Sequence, residues 1–319
     1  MDKEQCISKY IQTIQRFFRI RVPISYNNTN IYFRDIRTFS ISSRKQNDSY
    51  NRTRETIIGA IINNKVPKGY YTYSFRWLNL KEQVDSYLQT LCGQSHDITC
   101  IHKAGRTNHY DFKLVEPINQ KEFHIEFKFN AQTIGKAPQF VSPINISEYL
   151  ENCYIEFYYN NYLSNLLNAY DFAVPSLEDY KAQIQAPNPK CMVDLQAKYY
   201  RGCKSSSRFS GDNSDIEFYK KAKETSKKSI VDFISNNGLK IDILSEYLTR
   251  SQSEKHYMLY RAGKIYYQNI DSTGYELVSY EKQPGKQRYI ATTKSGNKIK
   301  ILLRWKNGNG IAFPAFQIS

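Results

Sequence analysis

The stretch "NHYDFKLVEPINQKEFHIEFKFN", residues 108–130, holds two strand-length runs joined by a Pro-containing turn. Side chains alternate faces along a strand. In 122–129 this puts Phe123, Ile125, Phe127 and Phe129 on one face, and His124, Glu126 and Lys128 on the other. In 109–115, Tyr110, Phe112 and Leu114 share a face, opposite Asp111 and Lys113. Pairing the runs as a hairpin can set Asp111 beside Glu126 and Lys128. Two carboxylates then converge where a sheet would otherwise bury hydrophobes, with an ammonium beside them. Such a cluster suits a hard divalent cation. Mg²⁺ takes oxygen ligands and keeps several waters. It makes a bound water a better nucleophile and stabilises the charge that builds on a phosphate.

The neighbouring sequence supplies a frame for this hairpin. "LNLKEQVDSYLQTLCG" (78–93) has helical spacing, with Asn79 as its cap, Glu82 three residues on and Gly93 to end it. "DITCIHK" (97–103) then reads as a strand, so the local order is helix, strand, strand, strand. These residues resemble the PD-(D/E)xK restriction-endonuclease-like superfamily. Asp111 matches its second-strand acid, and Glu126-Phe127-Lys128 matches its (D/E)xK element. The proline that precedes the family's acid is replaced by Tyr110. A narrower likeness, to HhaI-type type II restriction enzymes, rests on Ile125-Glu126-Phe127-Lys128, Gln132 and Gln139-Phe140.

The resemblance implies a mixed α+β (α/β) fold, with a central mixed sheet flanked by helices and a β-rich C-terminal part. It also implies an endonuclease dependent on Mg²⁺, for which Mn²⁺ can substitute, that leaves 5′-phosphate ends on double-stranded DNA. On that reading Asp111 and Glu126 hold the metal, the Phe127 carbonyl and Glu82 are further ligands, Lys128 assists the attacking water, and Gln139 lies near the reacting centre. A homing, competition or repair nuclease of the same fold and a non-catalytic DNA-binding module stay open as alternatives. A second register also stays open, with Asp111-Phe112-Lys113 as D-x-K and Asp97 as partner acid. His109 and His124 flank the cluster and read as surface or DNA-contacting residues.

The whole-chain composition agrees with a polyanion partner. Lys and Arg number 45 against 30 Asp and Glu, a formal charge of +15, and such an excess gains from counterion release on nucleic acid. The six cysteines form no CxxC pair, which argues against a zinc site and for reduced thiols in an intracellular, cytoplasmic protein. No run approaches the length of a membrane span, and the first residues are charged and amphipathic. Four consecutive parts are expected: an N-terminal segment (1–69), a nuclease core (70–165), a helical segment with a basic loop (166–255) and a β-rich DNA-contacting part (256–319). "VPKGYYTYSFRW" (66–77) reads as turn and strand, and "RGCKSSSRFSGDNSD" (201–215) as an exposed loop. Base-reading candidates are Arg304, Lys306 and Asn307 at a C-terminal ribbon, with Arg261 and Arg288 on neighbouring strands, and Lys204 and Arg208 on the loop. Monomer and homodimer are equally compatible with these features.

Overall fold

The computed structural model describes residues 3–19, 22–42, 47–93, 98–103, 108–117, 120–134, 139–140, 145–185, 193–205, 208–270, 272–305 and 314–319. The chain begins with α1 (Lys3–Arg19), β1 (Ile24–Tyr26), β2 (Thr29–Ile31) and a 3-10 segment (Phe33–Ser40). Next come α2 (Asn47–Ile62), α3 (Lys68–Tyr73), α4 (Phe75–Cys92), β3 (Thr99–His102), β4 (Phe112–Glu116) and β5 (Lys121–Phe129). After β6 (Gln139–Phe140), α5 (Tyr154–Tyr158) runs through a π turn into α6 (Ser164–Asn168). Then follow α7 (Leu177–Gln185), α8 (Val193–Gly202), β7 (Cys203–Ser205), β8 (Arg208–Phe209), α9 (Asn213–Asn236) and α10 (Ile241–Ser253). The last strands are β9 (Lys255–Arg261), β10 (Lys264–Asn269), β11 (Leu277–Lys282), β12 (Arg288–Thr293), β13 (Lys298–Trp305) and β14 (Pro314–Ile318). The fold is mixed α+β, as expected.

The chain divides into two compact units, residues 1–137 with 254–269, and residues 138–253 with 270–319. This division differs from four consecutive segments, and the cause is strand pairing. β9 and β10, expected in a C-terminal part, complete the sheet that holds the 108–130 hairpin. That sheet has the order β10-β9-β5-β4-β3. β5 runs parallel to β9, and the other pairs are antiparallel. Alternation in β5 buries Phe123, Ile125 and Phe127, and β4 buries Phe112 and Leu114 on the same core. In β9, Tyr257, Met258 and Leu259 are all fully buried, as a central strand covered on both faces requires.

The helices of this unit depart from expectation at one end. α4 starts at Phe75, not Asn79: the Ser74 hydroxyl accepts from the Trp77 N–H, and the Asn79 side chain donates instead to the Gly263 carbonyl. Gly93, at φ +72°, ends the helix as read. "VPKGYYTYSFRW" is helical rather than extended. Its fully buried Tyr70 (α3) and Trp77 (α4) lie on either side of the extended Ser74 that separates the two helices, with ring centroids 5.0 Å apart.

In the second unit the sheet β11-β12-β13-β14-β6 packs on α9 through one aromatic-rich core. The Trp305 indole donates to the Tyr154 hydroxyl at 3.1 Å there. The described residues of the expected loop at 201–215 carry the end of α8, β7, β8 and the start of α9. A Cβ on Gly202 would lie 2.2 Å from the Asp215 carbonyl oxygen, so α8, the β7–β8 hairpin and the start of α9 close together only with glycine at this position. Among the described residues no helix is long and apolar enough to cross a membrane.

One buried cation holds the first unit's N-terminal layer. Arg54 of α2 is fully buried and donates to the Thr38 carbonyl (3.0 and 2.6 Å), the Ile41 carbonyl (2.7 Å) and Asn51 (2.6 Å). Its guanidinium lies 3.4 Å from the centroid of Phe129. Lysine keeps the charge but lacks the planar fork that reaches two carbonyls and a ring face at once. Arg54→Lys is expected to lower unfolding stability by roughly 2–4 kcal/mol, because buried carbonyls lose their donors. An unchanged urea midpoint and slope would show that the 3-10 segment does not depend on this arginine.

Candidate active site

β4 and β5 place the hairpin's charged residues by register alone. Phe112 pairs with Ile125, so one step back Asp111 stands across from Glu126. The Asp111 N–H donates to the Ile125 carbonyl at 2.9 Å, which extends the ladder by one residue. Its carboxylate accepts from the Phe127 N–H at 2.8 Å. That bond fixes the carboxylate against β5, beside Glu126. Phe127, whose carbonyl was expected as a ligand, is thus tied to Asp111 through its other backbone group.

Glu126 is bound from two sides. One oxygen accepts from the Lys128 ammonium, and the other lies 3.7 Å from the Lys255 ammonium. Lys255 opens β9, and its side chain is only 3% exposed. Burial alone would raise the Glu126 carboxyl, but Lys128 and then Lys255 outweigh it and hold it below the usual range. Asp111 goes the opposite way. Burial, followed by the negative charges of Glu126 and Glu55, pushes it well above the usual range, against Lys128 and the Phe127 N–H. Burial lowers Lys255 despite Glu126. Lys128 is raised, because Glu126 and Asp111 outweigh its own burial.

Two members of this cluster were missed in the sequence. Lys255 precedes the apolar run "HYMLYR", and a lysine leading into a central strand is the signal that could have shown it. Glu55, on α2, is 13% exposed and lies 3.2 Å from His102 of β3; its charge reaches both Asp111 and Lys128. The helical acid expected at Glu82 is not part of this arrangement: Glu82 is exposed on α4 and does not cap it, because the helix begins four residues before Asn79.

The remaining expected residues fall elsewhere. Lys113 pairs with Glu122 at 2.5 Å, and Asp97, its partner in the second register, lies outside the described residues. His124 stacks on Tyr110 with centroids 4.1 Å apart. His109 is 3.6 Å from Glu254 and is lowered by burial and by Lys255. Gln139 belongs to β6 in the second unit, paired with Ile318. Arg304 donates to Gln317 of β14 at 2.9 Å, so its side chain is engaged within the sheet and not at a ribbon tip. Lys306 and Asn307 lie outside the described residues. Lys204 and Arg208 contribute backbone to the small β7–β8 hairpin of the second unit.

Comparison with protein-family models, with curated proteins and with solved structures gives no match. The chemistry therefore rests on the cluster itself. Asp111, Glu126 and Glu55 bring three carboxylates against the ammoniums of Lys128 and Lys255, and Asp111 is the one left without adequate positive charge. The donor set fits a hard divalent cation at Asp111 and Glu126. Among the described residues no three His, Cys, Asp or Glu side chains form a metal-holding group, so such an ion would keep most of its ligands as water.

The raised Asp111 carboxyl sets a sign for stability. A carboxyl held above its unfolded value costs nothing while protonated in both states. The cost appears as pH rises through the unfolded value of ~4 and is complete above the folded value. Asp111→Asn is therefore expected to stabilise the metal-free protein at pH 7 by about 1 kcal/mol or more, with the gain vanishing below about pH 4. Mg²⁺ should raise the melting temperature of the wild type and leave that of Asp111→Asn unchanged. Thermal unfolding followed across pH, with and without Mg²⁺, checks both signs.

Proposed function

We propose that this chain is a Mg²⁺-dependent DNA endonuclease, cutting at specific sites as a type II restriction enzyme does. The observation that carries the reading is the meeting of Asp111, Glu126 and Lys128 on one hairpin. The hairpin's setting adds support: α4, β3, β4 and β5 follow one another in the order on which the superfamily resemblance rests, within a mixed sheet. The charge of +15 supplies the attraction for a polyanionic substrate.

Asp111 and Glu126 would hold the cation, which when bound supplies Lewis-acid stabilisation of the phosphate and a more acidic water. The protein's own residues do the rest. The Phe127 N–H orients Asp111. Lys128 and then Lys255 keep Glu126 ionised, so that Glu126 remains an anionic ligand. Lys128 is positioned to orient the attacking water and to offset negative charge as it grows on the phosphate. Water adds to phosphorus, the P–O3′ bond breaks, the 3′ oxygen takes up a proton, and the phosphate stays on the 5′ end.

Long mixed-sequence duplex DNA incubated with Mg²⁺ is expected to give discrete bands, and no cutting with chelator. A smear would replace site-specific by non-specific cleavage; intact DNA with both Mg²⁺ and Mn²⁺ would leave only a binding module. Asp111→Ala and Glu126→Ala should abolish cutting while DNA binding persists. Lys128→Ala should slow cleavage by about a hundredfold or more, the scale of a positioned proton-transfer group, and Lys113→Ala far less. The reverse order of the two lysines would move the site to Asp97 and Asp111.

A further inference from the structure

A cavity of about 450 Å³ opens in the first unit beyond the Glu126–Lys128 end of β5. Its position follows from register. Lys128 pairs with Leu259, and the next pair, Phe129 and Tyr260, lines the cavity. The cavity thus sits at the carboxyl ends of β5 and β9, the parallel pair of this sheet. That is where open sheets with parallel strands leave a crevice for ligands. Its size lies within the roughly 300–1,000 Å³ of small-molecule sites.

The lining has a specific chemistry. The floor is aromatic: Phe129 and Tyr260 stack with centroids 5.7 Å apart and an interplanar angle of 14°, and Phe39 meets Tyr260 edge-on at 5.0 Å. Arg54 presses on Phe129, so this floor is braced. The rim carries Arg76, Arg261 and Asn130, and among the described residues no carboxylate lines the cavity. Among the described residues neither Arg76 nor Arg261 forms an ion pair; Arg261 makes one long hydrogen bond, 3.4 Å, to Gln132. Phe75, the first residue of α4, stands at the wall with 78% of its surface exposed, a large uncompensated apolar area. The turn carrying Arg261 is strained as well: Ala262 adopts φ +50°, a left-handed conformation that disfavours a residue with a Cβ.

A braced aromatic floor, an exposed ring and two arginines without acid suit a planar, anionic ligand. Aromatic faces stack on bases of any sequence, and guanidinium groups pair with phosphate in a fork. We propose that this cavity takes one nucleotide of the DNA, its base unstacked against Phe129, Tyr260 and Phe75 and its phosphate on Arg76 and Arg261. For the source of the nucleotide, a strand of the substrate, the proposal rests on the nuclease reading. The cavity would then hold the substrate strand at the ends of β5 and β9, on the face of the sheet opposite Lys128.

The probe is deoxyadenosine 3′,5′-bisphosphate, titrated by calorimetry into the Asp111→Ala chain without metal. Saturable binding is expected, weakened at least tenfold by Arg76→Ala, by Arg261→Ala and by Phe75→Ala. All three side chains lie at the surface, and thermal unfolding confirms that the variants fold. Deoxyribose 5-phosphate should bind at least tenfold more weakly, and mixed-sequence duplex DNA should displace the bisphosphate. Absence of binding, or binding indifferent to both arginine changes, overturns the proposal. Equal binding of deoxyribose phosphate overturns the base-stacking part, and failure of DNA to displace the probe overturns the assignment to substrate DNA. Cutting of DNA without nucleotide binding overturns the cavity alone. Nucleotide binding by a wild-type chain that cuts no DNA supports the cavity and counts against the nuclease reading.

Discussion

Two carboxylates side by side on a half-buried sheet face repel each other and lose hydration, so positive charge has to be brought to them. The hairpin supplies only Lys128. The second ammonium, Lys255, comes from β9, far along the chain, and it reaches Glu126 because β9 lies parallel beside β5. That pairing decides much else in the first unit. It joins residues 254–269 to the N-terminal unit, buries Tyr257, Met258 and Leu259, and sets the ends of two parallel strands side by side. A buried ion pair is a weak source of stability, because desolvation offsets the attraction. Here its effect is on protonation: it keeps one carboxyl of the pair charged.

The two acids are consequently unequal. Glu126 lies between two ammoniums and is held below the ordinary carboxylate range, whereas Asp111 faces Glu126 and Glu55 and is driven above it. Closely spaced carboxyls commonly separate in this way, since the first to ionise raises the second. A cation near Asp111 removes the penalty that burial and like charge impose there, and the gain is largest at this one residue. The arrangement costs folding stability in the absence of an ion, the usual exchange where a site is organised for a ligand or for chemistry.

Much of the hairpin was legible in the sequence, and the physical reason is local. Strict alternation from Phe123 to Phe127 fixes which face is buried, and the short connection between the runs makes Asp111 stand across from Glu126. What escaped depends on contacts between distant segments. Nothing in "HYMLYR" states which strand it joins, or that Lys255 enters a charged cluster. Glu55 sits in a helix whose polar boundary offers several equivalent positions, and only packing selects one. The 66–77 segment misled because tyrosines favour strands on average, whereas here Tyr70 and Trp77 bury themselves from two successive helices that break at Ser74. The 201–215 stretch was read as an exposed loop, where Gly202 instead permits close packing on Asp215.

The same two strands carry the charged cluster and, one register step further, the aromatic cavity. Lys128 and Leu259 are partners, and Phe129 and Tyr260 are the next pair. A small shift of β9 against β5 would therefore move Lys255 from Glu126 and part the floor of the cavity together. Side-chain direction alternates between neighbouring residues, so Lys128 faces the side of the sheet opposite Phe129. A strand gripped at the cavity would thus have to pass around the ends of β5 and β9 to bring a phosphate to Asp111. At those ends Asn130, Ala262 and Gly263 all take left-handed backbone, which turns the chain away. Turning both strands aside at one level clears the space beyond them, which is what a substrate reaching from one face to the other requires.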